Sequence, residues 1–385
     1  MFTRLLEKEL VRLLRHFPAV ALLGARQVGK TTLARTLLKK FRKSVYLDME
    51  DVDDHRALSN PRLFFDSYRD HLIVIDEIQR TPELFPALRS EIDRQRKPGR
   101  YLLLGSASPD LLQKSSETLA GRIVYKELSP LLLSEVSAKI DYRTHWLRGG
   151  FPDAIRQRTA ALWNVWHSAF LRTYVERDLP MLGLPTPSHT LTRLLQMIAY
   201  NHGQILNKSE YAHALGVSVP TVSQMLDYLM HAYLIRLLPP YANSPKKRIV
   251  RSPKLYVRDS GMLHHLLGIT HHKNLLNNPK VGYSWEGYVI EQIIQHAGAE
   301  KNYFYYRTQD GAGCDLVIAH YNKPQTVVEI KLNPSAPVMK GLRNSMEDLR
   351  IKKAFVVVPG TDVHYAIDRR IQVVSLSIWL EKYTR

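Results

Sequence analysis

Apolar residues follow two rhythms along this chain. Short uninterrupted runs, Ala19-Val20-Ala21-Leu22-Leu23, Leu72-Ile73-Val74-Ile75 and Tyr101-Leu102-Leu103-Leu104, predict strands buried on both faces. Val45-Tyr46-Leu47 and Ile123-Val124-Tyr125 add two shorter ones. Around the strands the spacing turns helical, at Leu5, Leu6, Leu10, Leu13 and Leu14, then at Leu33, Leu37 and Leu38, and again from near Arg56 to Tyr68. Strand–helix alternation predicts an α/β fold, a doubly wound parallel sheet that binds its ligand at the carboxyl ends of the strands.

Further on the pattern changes. Pro130, Gly149-Gly150 and Pro152 punctuate a connecting stretch, followed by a helix expected to carry Leu162, Trp166, Ala169, Phe170 and Tyr174 on one face. Leu184-Pro185-Thr186-Pro187 marks a boundary. Leu191, Leu194, Leu195 and Ile198 fit one helix and Ser209 to Leu215 a second. A third has Val222, Met225, Leu226, Leu229 and Met230 facing inward, with Ser218 as its N-cap. This is helix-turn-helix spacing, and Leu234–Leu237 with Leu255–Val257 read as a hairpin behind it. The remaining pattern predicts an amphipathic helix over Trp285–Ile294 and strands at Tyr303–Tyr306, Asp315–Ile318, Val327–Lys331 and Phe355–Val358.

Composition sharpens this picture. The chain has 385 residues, 45% of them apolar, enough for several cored domains. Lys and Arg outnumber Asp and Glu by 54 to 36, a net charge of +18, which favours a polyanionic partner, nucleic acid before an anionic membrane surface. Cys314 stands alone, so a disulfide within the chain is impossible, a Cys-based zinc site is disfavoured and a reducing, cytoplasmic setting is expected. The charged, amphipathic start is unlike a signal peptide, and no apolar run approaches the length of a membrane span.

The first strand runs into Gly24, Ala25, Arg26, Gln27, Val28, Gly29, Lys30 and Thr31, which fill G-x-x-x-x-G-K-[ST], with Thr32 following in the helix. The glycines let backbone N–H groups close on phosphate oxygens, and the helix start adds positive potential. Lys30 can reach the β- and γ-phosphates and Thr31 can ligate Mg²⁺, so ATP with Mg²⁺ is the expected cofactor. The run Leu72–Ile75 ends in Asp76, placed for the Mg²⁺ shell, and Glu77, placed to polarise water. Ser106 at the next strand tip is a candidate sensor of the γ-phosphate, and Arg122 a candidate to reach a neighbouring subunit's nucleotide. Lys246, Lys247, Arg248 and Arg251, with Lys254 and Arg258 nearby, suit a DNA backbone, whereas the outward residues of the third helix, Thr221, Ser223, Gln224 and Asp227, are not basic. Glu329 and Lys331 share a strand face within reach of Asp315. The two carboxylates are candidate ligands for Mg²⁺ or Mn²⁺, with Lys331 activating water and Glu286 a further ligand.

The Gly24–Thr31 loop, Ile75-Asp76-Glu77-Ile78-Gln79, Pro82-Glu83-Leu84, Gly105-Ser106-Ala107-Ser108 and Leu119-Ala120-Gly121-Arg122 together resemble an AAA+ ATPase of the branch common in bacteria and archaea. The resemblance implies hydrolysis of Mg-ATP and ring-like homo-oligomers, hexamers among them. The next segment is similar to that family's helical lid, the helix-turn-helix segment to winged-helix domains, and the C-terminal part to PD-(D/E)XK nucleases through Asp315, Glu329 and Lys331. Relatives often carry Glu two residues before this aspartate, where Gly313 stands here. The expected domains are an ATPase at 1–140, a lid or connector at 141–188, a winged helix at 189–275 and a nuclease-like domain at 280–385. The expected function is an ATPase that couples hydrolysis to remodelling or processing of DNA, branched or structured DNA included. Two readings stay open beside it: an ATP-gated, metal-dependent endonuclease, and a nucleotide switch that senses a protein partner.

Overall fold

Five apolar strands set the first unit. In this computed structural model, which describes residues 2–106, 119–242, 250–298, 301–308, 312–333 and 340–383, the chain divides into two units. Met1–Leu131, Met181–Leu184 and Asp227–Tyr233 form the first; Leu132–Pro180, Pro185–Leu226 and Leu234–Arg385 form the second. The first is built on β1 (Ala19–Leu23), β2 (Ser44–Asp48), β3 (Leu72–Asp76), β4 (Tyr101–Gly105) and β5 (Ile123–Glu127). They lie in the order β2-β3-β4-β1-β5 and pair parallel throughout, so all carboxyl ends share one edge. β1, β3 and β4 are buried along their whole length, as runs without polar alternation require. Helices Leu6–Leu14, Lys30–Leu38 and Leu84–Arg94 flank the sheet. The helix expected from Arg56 to Tyr68 is two, Val52–Ala57 and Pro61–Ser67. Pro61 opens the second, capped by Asn60, whose Oδ1 accepts the Leu63 N–H at 3.2 Å.

The second unit holds two further sheets. β6 (Gln204–Ile205), β7 (Ile235–Leu238) and β8 (Lys254–Val257) form an antiparallel sheet in the order β6-β8-β7, accompanied by helices Ser188–Tyr200 and Lys208–Leu215; of the next helix, Val219–His231, the part up to Leu226 belongs to this unit. Val222, Met225, Leu226 and Leu229 are fully buried and the Ser218 hydroxyl accepts the Thr221 N–H at 3.2 Å, as the spacing predicts, while Met230 is only half-buried. β9 (Asn302–Arg307), β10 (Gly313–His320), β11 (Lys323–Ile330), β12 (Ala354–Val358), β13 (His364–Ala366) and β14 (Ile371–Ser375) form a mixed sheet in the order β13-β14-β12-β11-β10-β9. β9 to β11 are an antiparallel meander, and β11, β12 and β14 run parallel.

Two helices depart from the pattern read in the sequence. In Ala160–Thr173 the buried face is Trp163, His167, Phe170 and Leu171, while Leu162 is 51% exposed. Phe170 and Tyr174 are buried as the spacing predicts, whereas Trp163 and His167 are buried in place of Leu162 and Ala169, and the two indoles flank His167 edge-on at 4.6 Å (Trp163) and 4.9 Å (Trp166). The helix Val281–Ala297 is not amphipathic. Every residue from Ser284 to Ile294 is buried, Glu286 and Glu291 included, because cations from other segments pair with both carboxylates. A close approach fixes the turn after Tyr142–Arg148. A Cβ on Gly261 would stand 2.1 Å from the Arg148 carbonyl oxygen, and Asp259 accepts the N–H groups of Gly150 and Met262, both at 2.8 Å. Burial pushes the Asp259 carboxyl up to about 6.

Candidate nucleotide site

Parallel pairing brings the tips of β1 and β3 to one edge with β4 between them, and the phosphate-type loop leaves β1 there. The loop needs its glycines. A Cβ on Gly24 would lie 2.3 Å from the Leu128 carbonyl oxygen, and Gly29 sits at φ +95° as the helix Lys30–Leu38 begins. Gln27 also has positive φ, and Arg26 is half-buried. Ala25 and Val28 are buried beneath the loop, while Thr32 is exposed one residue past Thr31.

Lys30 is buried and its Nζ donates to the Gly24 and Ala25 carbonyls, both at 3.0 Å. Burial lowers its pKa against the pull of Glu77 and Asp76. The Thr31 hydroxyl donates to Asp76 Oδ2 at 2.6 Å, and Asp76 Oδ1 accepts the Glu77 N–H at 2.9 Å. Thr31 and Asp76, far apart in sequence, thus meet, and a hydroxyl facing a carboxylate is a hard oxygen set that fits Mg²⁺. Glu77 follows in the left-handed region at φ +53°, and Gln79 Nε2 donates to its carboxylate. Burial raises the Glu77 pKa, with Lys30 and Gln79 opposing. Ser106 is half-buried just past β4; Ala107 and Ser108 lie outside the described residues. Arg122 is forked onto Asp93, Nε to Oδ1 at 2.6 Å and Nη2 to Oδ2 at 2.9 Å, and does not join the loop and the β3 tip.

Two neighbours were not legible as site residues. Tyr46 donates to Asp76 Oδ2 at 2.7 Å from β2, and burial, with the hydrogen bond to Asp76, raises its pKa. Its signal was a lone hydroxyl in a strand next to the acidic one. Arg4, buried ahead of the first helix, donates to the Val28 carbonyl at 2.8 Å and the Ser129 carbonyl at 2.6 Å. No local pattern marks it.

The other candidate residues divide. Lys246, Lys247 and Arg248 lie outside the described residues, and Arg251 is exposed. Lys254 and Arg258 are buried in ion pairs with Glu286 and Glu291 and do not belong to a basic surface. Asp315, Glu329 and Lys331 do come together. Asp315 Oδ2 accepts the Ile330 N–H at 2.8 Å, and Lys331 Nζ lies 2.7 Å from Glu329 Oε1. Burial, with Asp315 beside it, pushes the Glu329 carboxyl up to about 7. Among the described residues no group of three His, Cys, Asp or Glu side chains converges as a metal-binding set. No helix among them is long and apolar enough to cross a membrane.

Comparison with known proteins gives three successive family matches. Residues 16–137 match an AAA domain, 139–273 a domain of unknown function (DUF8612) and 281–379 another (DUF4143). The uncharacterized proteins Rv2008c of Mycobacterium tuberculosis and Mb2031c of Mycobacterium bovis are each 41% identical over 349 residues, 91% of this chain and 78% of theirs. Among solved structures, the Walker-type ATPase paby2304 of Pyrococcus abyssi is 16% identical, with a TM-score of 0.47, covering 69% of this chain and 96% of its own.

Proposed function

This chain belongs to one family with the mycobacterial proteins Rv2008c and Mb2031c and carries an AAA-type ATPase domain, and from that premise we propose that it hydrolyses Mg-ATP to drive work on DNA. The observation that carries the reading is the meeting of Thr31 and Asp76 at 2.6 Å above a buried Lys30. The loop from Gly24 to Thr31, with Thr32, holds the phosphates through backbone N–H groups, and Lys30 turns from its loop carbonyls to the β- and γ-phosphates. Thr31 and Asp76 hold the metal, which when bound neutralises charge on those phosphates. Glu77 aligns and polarises the attacking water, Gln79 fixes its carboxylate, and Ser106 reads the γ-phosphate. Arg122 completes a neighbouring subunit's site in a ring-like homo-oligomer once it leaves Asp93.

DNA as the partner draws support from the charge of +18 and from the second unit. Its helix, short strand, two helices and hairpin follow the order of a winged helix, with Lys246, Lys247, Arg248 and Arg251 between the hairpin strands. The C-terminal sheet, with Asp315, Glu329 and Lys331, supports a PD-(D/E)XK-like module. Hydrolysis shifts these modules, and binding through backbone and shape favours branched or distorted duplexes. The test is the ATPase rate with and without linear and four-way DNA. Stimulation by DNA, stronger for the four-way form, is expected. A rate indifferent to every DNA form rejects the DNA reading and favours a switch that senses a protein.

A further inference from the structure

We infer that the carboxylate centre of the C-terminal sheet is closed to divalent metal because the chain seats its own cation there, the ammonium of Lys254. Lys254 arrives from β8, in a different sheet from the one that carries Asp315 and Glu329. Its Nζ lies 2.8 Å from Glu286 Oε1 and 3.7 Å from Asp315 Oδ1, and stands over the Tyr305 ring, 5.7 Å from the centroid. The Tyr256 hydroxyl donates to the same Glu286 oxygen at 2.6 Å. Two further acidic oxygens are engaged: Asp315 Oδ2 by the Ile330 N–H at 2.8 Å, and Glu329 Oε1 by Lys331 Nζ at 2.7 Å. Lys254, Glu286 and Glu329 are all buried.

A divalent ion of this class takes carboxylate oxygens at about 2.0–2.6 Å. An ion shared by Glu286 and Asp315 would have to take the space that the ammonium occupies, 2.8 Å from one carboxylate and 3.7 Å from the other. The arrangement therefore does not fit the metal that the nuclease resemblance implies. The ammoniums of Lys254 and Lys331 offset two of the three carboxylate charges here without an ion. A metal entering between these carboxylates has to displace a cation that the fold itself positions. With Lys254 seated, the centre has no route to metal-assisted cleavage, and the C-terminal sheet holds its polar residues as structure. The inference rests on this geometry and is independent of the ATPase reading.

The test counts Mn²⁺ bound to the full chain without nucleotide, by electron paramagnetic resonance. Wild type and Asp315→Asn should take up the same amount. Lys254→Met should gain one ion, and adding Glu286→Gln to that variant should remove it. Wild-type uptake, or Mg²⁺-dependent cutting of plasmid DNA, that disappears in Asp315→Asn would overturn the inference. So would a folded Lys254→Met protein, its near-ultraviolet dichroism unchanged, that gains no ion. Thermal melting gives a reading that does not depend on Lys254→Met being well folded at rest. Lys254→Met and Glu286→Gln should each lower Tm and the pair together should recover part of the loss, whereas strictly additive losses contradict the pairing.

Discussion

His202 gives a quantitative test of how the second unit is built. The side chain is 1% exposed, and its two nitrogens have opposite duties. Nδ1 accepts the Val257 N–H at 3.0 Å, so Nε2 carries the proton and donates to the Tyr283 carbonyl at 3.1 Å. Protonating Nδ1 would set two donors against each other in a buried site. Burial first, then His264 and Lys280, lower the pKa to about 3. The sign follows. An unfolded histidine titrates near 6.5, so below that pH the unfolded chain binds a proton that the folded chain refuses. Stability from this residue is complete above roughly pH 6.5 and falls by about 1.4 kcal/mol per pH unit toward pH 3. Between roughly pH 7 and pH 5 the loss is about 2 kcal/mol. Other groups titrate over the same range, Asp259 and Glu329 with the opposite sign, so the useful quantity is a difference between proteins. His202→Asn keeps an acceptor for Val257 and loses the donor to Tyr283, at a cost of about 1–3 kcal/mol at neutral pH. Urea unfolding followed by tryptophan fluorescence at the two pH values measures that cost at each. The cost should shrink by about 2 kcal/mol at the lower pH. A cost that stays the same at both pH values would refute the buried, neutral His202.

Three more outcomes are expected. Gly24→Ala places a Cβ 2.3 Å from the Leu128 carbonyl oxygen, which is backbone and cannot swing aside, so ATP affinity measured by calorimetry should fall at least about tenfold. Glu291 pairs with Arg236 at 2.7 Å and Arg258 at 2.6 Å, and its burial is outweighed by these guanidiniums, which hold its carboxyl down to about 2. Glu291→Ala takes the carboxylate from the buried Arg258 and the half-buried Arg236 and should lower the stability of the second unit by about 3–5 kcal/mol in urea unfolding; a loss under about 1 kcal/mol contradicts it. Replacing Lys246, Lys247 and Arg248 together by Ala should reduce the salt slope of DNA affinity by about 2–3 on all sequences alike, and an unchanged slope removes this loop from the interface.

What the sequence revealed depended on distance along the chain. The loop Gly24–Thr31 and the acidic end of β3 were legible because each is a local pattern whose chemistry admits few substitutes. The parallel sheet followed from apolar runs without alternation. The buried helix Val281–Ala297 was misread because Glu286 and Glu291 look like a solvent face. Their partners, Lys254, Arg236 and Arg258, stand at least 32 residues away. The same pairing made Lys254 and Arg258 look like part of a basic surface. Arg4 and Tyr46 escaped notice for the same reason, since their partners at Val28, Ser129 and Asp76 become neighbours only after the sheet forms. In Ala160–Thr173 Phe170 fell on the expected face, but Leu162 and Ala169 stood in for Trp163 and His167 because apolar and aromatic residues fall on both sides of the stripe.

If a nucleotide is bound and hydrolysed between the loop after β1 and the tip of β3, turnover depends on the charge of Glu77. Glu77→Gln keeps the size and hydrogen-bonding reach of the side chain and removes its charge. With Mg-ATP as substrate, the variant should bind nucleotide as the wild type does and turn it over about 10²–10⁴ times more slowly. Equal turnover by the two proteins, or a wild type that binds no ATP, would contradict the account.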